Sequence, residues 1–135
     1  MQRSATPSMP ERTTDRRITT YKDFWDFYVR EHSKPSTRAL HFIGTTLGIA
    51  LLVYFVAIGR WYFFPAFLVV GYAFAWVAHF VVEKNRPATF KYPFWSFISD
   101  FKMIAYILTG RMGREVARVL RNNSHGEHVR SDHLE

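Results

Sequence analysis

A chain of 135 residues, 48% of them hydrophobic and 18% aromatic, has room for one domain, and so much apolar surface in so short a chain points to a bilayer as its place of burial. The excess of 18 Lys and Arg over 11 Asp and Glu, a formal charge of +7, draws the polar parts toward anionic surfaces such as phospholipid headgroups. The absence of cysteine excludes a disulfide framework, thiol catalysis and thiolate-bound zinc or iron–sulfur clusters, so any metal must be held by His, Asp or Glu.

Residues 1–18 are basic, rich in Ser, Thr and Pro, and lack an apolar h-region, which predicts a disordered tail without a cleavable secretory signal. Residues 19–121 read as one membrane-embedded helical domain and 122–135 as a polar flexible tail. From Thr19 to His32 the aromatics Phe24, Trp25, Phe27 and Tyr28 predict an amphipathic helix, with Thr20 and Asp23 as its capping box. Its aromatic face either packs on the rest of the protein or rests in the headgroup layer, and a part in admitting lipid is the sharper alternative. Pro35 breaks the chain between Ser33 and Thr37.

Ala39 to Gly59 carries no charge apart from His41 if protonated, and it is long enough to cross about 30 Å of hydrocarbon as a helix. Arg60 and Trp61 form a short turn. Tyr62 to Val82 is again uncharged, with aromatics at its start in belt positions. Eight Lys and Arg precede the first span, Arg60 alone lies between the spans, and nine follow the second. The positive-inside rule then puts both termini in the cytoplasm. A soluble bundle would have to surround two fully buried helices of this length with too little chain. Tyr92 to Thr109 is a third hydrophobic stretch, but Asp100 and Lys102 near its centre make it interfacial or re-entrant rather than spanning. Met112 to Leu120 reads as a basic helix on anionic headgroups, with Val116, Val119 and Leu120 opposite Arg111, Arg114, Arg118 and Arg121. Membrane proximity accounts for these arginines, so no nucleic-acid partner is expected. His125, His128 and His133 look like solvated tail histidines. The expected fold is therefore all-α, an integral membrane hairpin with interfacial amphipathic helices.

An antiparallel hairpin brings His41, at the start of the first span, and His79, at the end of the second, to a similar depth. Glu83 follows His79 by four residues on the same helical face, and the Pro35 loop lets His32 fold back over the same point. Imidazole and carboxylate suit iron, zinc or copper, and a three-His or His/His/Glu set leaves positions open for substrate and dioxygen. Each of these residues also has a plain reading. A histidine near a helix end commonly meets a carbonyl or a headgroup, and Asp100 and Glu83 have Lys102, Lys84 and Arg86 as ion-pair partners. Haem between His41 and His79 suits a tight, aromatic-filled hairpin poorly, and the clustered His pairs of membrane desaturases are missing.

Three segments, EHSKPSTRALHFIGT (Glu31–Thr45), GYAFAWVAHFVVEKNRPATF (Gly71–Phe90) and YPFWSFISDFKM (Tyr92–Met103), resemble the yeast 2-hydroxy fatty acid dioxygenase (Mpo-like) family, whose bacterial members are mostly known as a domain of unknown function. The resemblance runs from about Tyr21 to Gly110, with one departure, Thr37 where Asn often precedes the Arg of the first motif. It implies an iron(II)-dependent dioxygenase of lipid alpha-oxidation, which shortens a long-chain 2-hydroxy fatty acid by one carbon in degrading the phytosphingosine long-chain base. By position it implies His32, His41 and His79 as catalytic Fe(2+) ligands, with Glu83 and Asp100 as further ligands or supports. Location suggests Arg38, Lys84 and Arg86 as partners of the substrate carboxylate. Dioxygen and membrane lipids are the other expected partners, homo-oligomerisation is left open, and the membrane is a bacterial inner membrane or the endoplasmic reticulum. The rival class is a non-catalytic lipid-binding or assembly protein with structural histidines.

Overall fold

The structure, a computed structural model, describes residues 17–131, with side chains described through Ser124. The outer parts of both expected tails, residues 1–16 and 132–135, and the side chains of His125, His128 and His133 lie outside the described residues. The described chain is all-helical, without a strand.

The first helix, α1, spans Tyr21–Glu31. The Thr20 hydroxyl accepts from the Asp23 backbone N–H at 3.2 Å and donates to the Asp23 carboxylate at 2.6 Å, so the capping pair forms as expected. Its aromatic face turns into the protein: Phe24, Trp25, Tyr28 and Val29 are buried.

The second helix, α2, spans Pro35–Ala57. Pro35 begins this helix rather than interrupting the chain ahead of it, because proline fits the first helical turn, where its missing N–H has no partner to lose. A tight corner at Gly59, whose φ of +72° suits only glycine without strain, and a short 3₁₀ turn over Trp61–Phe63 lead to α3, Phe64–Val77. The winding then loosens into a π-helix over Ala78–Glu83. Pro35–Ala57 and Trp61–Glu83 are each 23 residues and apolar enough to span a membrane, about 35 Å of helix each.

The hairpin is arranged inside out. Thr37, His41, Gly44, Thr45 and Gly48 are the buried residues of α2, while Leu47, Val53, Val56, Val69 and Trp76 face outward. Only 17% and 22% of the two apolar windows is covered by protein, where a soluble core helix would be mostly buried. Gly44 and Gly48 allow this close approach. A Cβ at Gly44 would lie 2.4 Å from the Phe74 Cβ, and one at Gly48 would lie 2.9 Å from the Phe67 carbonyl oxygen. This small-x-x-x-small stripe is a packing device suited to lipid, where no hydrophobic force drives helices together.

A 3₁₀ turn over Ala88–Phe90 leads into α4, Pro93–Leu108, and then α5, Met112–Ser131. At 16 residues α4 is shorter than the roughly 20 residues of a spanning helix. Met103 of α4 and Met112 and Val119 of α5 close over the aromatic face of α1 in one core. Asp100 and Lys102, offered by the sequence as an ion pair, point apart, as residues two positions apart on a helix do. Asp100 turns inward, while the Lys102 ammonium lies 3.9 Å from the Trp25 ring centre. In α5, Arg118 binds Asp26 of α1 at 2.6 Å and Glu115 at 2.7 Å, and Leu120 is exposed. The basic helix thus packs on α1 through Met112 and Val119, and Arg118 sits on the packed side rather than opposite it. Beyond Asn122, where the polar tail was expected to start, the helix continues to Ser131.

Candidate metal centre

Three helices deliver one imidazole each to a single point. His32 caps the C-terminus of α1, His41 lies in the second turn of α2, and His79 lies in the π-helix that ends the hairpin. All three are buried, and one ring nitrogen of each lies within 4.8 Å of the others. His32 Nε2 and His41 Nε2 are 3.1 Å apart.

The other nitrogen of each ring settles the proton. His32 Nδ1 lies 2.7 Å from the Tyr28 carbonyl oxygen, which only accepts, so Nδ1 is the donor. His41 Nδ1 faces the Asp100 carboxylate at 3.3 Å, again an acceptor. His79 Nδ1 lies 2.8 Å from Asn85 Oδ1. The orientation of that amide is fixed from the far side, because Asn85 Nδ2 donates to the Glu31 carboxylate, which takes only donors. With Nδ1 protonated, His32 and His79 turn Nε2 lone pairs to the centre, and His41, with Nδ1 beside Asp100, turns its Nε2 to the same point. The His32–His41 Nε2 pair at 3.1 Å is bridged by one proton or by a cation.

The surroundings of His32 favour neutral imidazole. Burial, together with the neighbouring imidazoles, holds His32 well below the usual histidine range, which leaves its Nε2 available to a metal at neutral pH. Burial and the adjacent Asp100 push the Tyr28 hydroxyl up, so it stays protonated and donates to Asp100. Three buried imidazoles, each oriented by a carbonyl, a carboxylate or an amide on its far nitrogen, form the donor set of a divalent transition metal such as iron or zinc. The residues fit such an ion. Haem does not fit, since imidazoles in contact leave no gap for a macrocycle.

Local winding places His79. The π-helix carries one extra residue per turn, and such turns recur at functional sites. Lys84 then adopts the left-handed conformation, φ 58°, so that the Asn85 backbone N–H returns to the His79 carbonyl at 3.0 Å while its side chain reaches the ring. The same winding separates Glu83 from His79. Glu83 accepts from Thr37 Oγ1 at 2.7 Å and from the Lys34 backbone N–H at 3.2 Å, binding the N-terminus of α2 instead of the histidines.

Asp100 orients His41 and is not among the three converging donors. Arg38 donates Nη1 to the carbonyls of His32 and Ser33, at 2.9 and 2.6 Å. Lys84 is exposed, and Arg86 lines a separate hollow of about 650 Å³ with Phe27, Glu31 and Phe80. In the sequence Tyr28 reads only as part of the aromatic face, and Asn85 and Glu31 stand within the quoted motifs without a site role. Tyr28 meets Asp100, 72 positions away, and His32 through its backbone carbonyl, Asn85 meets Glu31, 54 positions away, and Asn85 reaches His79, six positions away, only through the change of winding between them.

No curated protein and no solved structure matches the chain. One family model does, over residues 18–112, a stretch that includes all three histidines together with Tyr28, Asn85 and Asp100. The chain belongs to the family described as 2-hydroxy-palmitic acid dioxygenase Mpo1-like.

Proposed function

We propose that this protein is an iron(II)-dependent dioxygenase that shortens a 2-hydroxy fatty acid by one carbon, in a membrane with both termini on the cytoplasmic side. The observation that carries the reading is the convergence of three buried imidazoles, with Nε2 of His32 and His41 3.1 Å apart. Membership of a family described by that activity supplies the substrate class. The overall change balances with one dioxygen: the C1–C2 bond breaks, C2 becomes the new carboxyl carbon, and C1 leaves as carbon dioxide with one water. Bound iron(II) supplies the one-electron chemistry that lets dioxygen react with a closed-shell acid.

The protein's own groups do the rest. The Tyr28 carbonyl and the Asn85 amide hold the Nδ1 protons of His32 and His79, and Asp100 lies against Nδ1 of His41, so that each ring turns to the centre. The aromatic core of α1, α4 and α5 keeps bulk water from His32. Arg38, one helical turn before His41 and held against the carbonyls of His32 and Ser33, is the cation we assign to the substrate carboxylate. Arg38→Gln is expected to raise KM more than it lowers kcat.

The test is anaerobic iron(II) loading of detergent-purified protein, then oxygen and a long-chain 2-hydroxy fatty acid, with a mass-spectrometric search for the acid one carbon shorter. Product from the wild type and none from a folded His79→Ala variant supports the enzyme. A folded wild type that binds no iron and makes no product is the outcome expected of a non-catalytic lipid-binding protein.

A further inference from the structure

A cleft opens beside His41, one of the three histidines. It begins at His41 and Asp100 and runs between the hairpin and α4, walled by Thr45, Phe67, Gly71, Ala75, Phe97 and Phe101. Along α3 the wall is one stripe at intervals of four residues, Phe67, Gly71, Ala75, and the next residue of that series is His79 itself. From Ala75 to Phe67 the stripe covers about 12 Å. One end, with His41, Thr45, Tyr72 and Asp100, is therefore polar and adjoins the histidines, and the apolar remainder descends along the membrane-spanning part of the hairpin. The far end is closed by Phe67, whose ring meets Phe97 edge-on at 6.4 Å between centres.

Gly71 is the open point of this wall. A Cβ built there meets no atom within 4 Å, in contrast to Gly44 and Gly48, where a Cβ would strike α3. Close helix packing thus explains two of the hairpin glycines and leaves Gly71 without a packing reason. The cleft encloses about 30 Å³, space for a water molecule or two, so an alkyl chain in it keeps one flank toward lipid or turns Phe97 and Phe101 aside.

We infer that this cleft is the seat of the substrate's acyl chain, that Gly71 keeps it open, and that Phe67 sets how long a chain it takes. The inference rests on the 2-hydroxy fatty acid reading above. It matches the ligand to the site end for end: the hydroxy acid lies at the histidines and the chain descends parallel to the spans, as a fatty acid already lies in a bilayer leaflet.

Two measurements test it. The first needs no turnover. Metal-free protein in detergent is irradiated with a long-chain 2-hydroxy fatty acid carrying a diazirine in the middle of its chain. Labelling is expected in peptides containing residues 67–75 and 97–101, and it should be lost in Gly71→Leu, a change that raises helix propensity and whose Cβ meets no atom within 4 Å. The second compares turnover across chain lengths. Gly71→Leu is expected to lower kcat/KM for long-chain acids by about tenfold or more while sparing short ones, and Phe67→Ala to move the preference toward longer chains. Labelling elsewhere, or labelling unchanged in Gly71→Leu, overturns the acyl site. Wild-type protein that labels as expected but turns over no acid leaves the acyl site standing and overturns the dioxygenase.

Discussion

At the scale of single residues, the site depends as much on what stands behind the histidines as on the histidines themselves. Asn85 is the clearest case, since its amide is read by Glu31 on one side and reads His79 on the other. Replacing Asn85 by Ala removes the acceptor that holds the His79 proton on Nδ1, and the ring is then free to protonate Nε2 instead. Such supporting partners are typically worth a factor of about 10–100 in metal affinity. Asn85→Ala is expected to weaken iron or zinc binding by that factor in isothermal titration, with an unchanged helical circular dichroism spectrum. Asp100→Asn tests His41 in the same way, and because Tyr28 also donates to Asp100, its effect should be largely shared with Tyr28→Phe in a double-mutant cycle.

At the scale of elements, two contacts hold the layers. The first is the glycine stripe of α2. Gly44→Val forces α2 and α3 apart against a Cβ, which cannot swing away as the end of a long side chain can. A loss of about 1–3 kcal/mol is expected, read as a lower unfolding midpoint in detergent. The second is the α1–α5 clamp, where Glu115 accepts from the Trp25 indole at 2.8 Å and from Arg118. The Arg118 hydrogen bonds and the indole hold the Glu115 carboxyl below its ordinary value. A lowered carboxyl contributes stability above its unfolded-state value, and that contribution is lost as pH falls through the lowered one. The stability gap between wild type and Glu115→Gln should therefore be present at neutral pH and close on acidification into the carboxyl range.

The elements were also the most legible part of the sequence. Both long apolar runs, the aromatic face of α1 and the Thr20 cap follow from periodicity and end chemistry; His41 and His79 meet by hairpin depth and His32 by the Pro35 loop, and the family resemblance implies the three as one set. The glycine stripe, the π-turn and the Asn85 return do not show in that reading. Each depends on a partner helix or on a change of winding that the four-residue spacing from His79 to Glu83 conceals.

At the scale of the whole molecule, the outward-facing apolar hairpin and the distribution of 18 basic residues make a topology that can be measured. The chain has no cysteine, so a single introduced thiol is unambiguous. In intact cells, a membrane-impermeant maleimide is expected to label Arg60→Cys and to spare Arg121→Cys until the membrane is opened; the reverse pattern would invert the orientation.

The three histidines also come from two layers of the molecule. His32 belongs to the layer of α1, α4 and α5, whereas His41 and His79 belong to the hairpin, and Glu31–Asn85, Arg38–His32 and Asp100–His41 already join the two. A metal held by all three histidines would clasp the layers further, so part of its binding energy would go into holding one on the other. Amide hydrogen exchange should report this as slower exchange in α1 when metal is present and faster exchange after chelation, with the buried core of the hairpin little changed. Bound metal would thus add one more link to those that join the two layers, and its removal is expected to loosen the aromatic layer at the mouth of the hairpin.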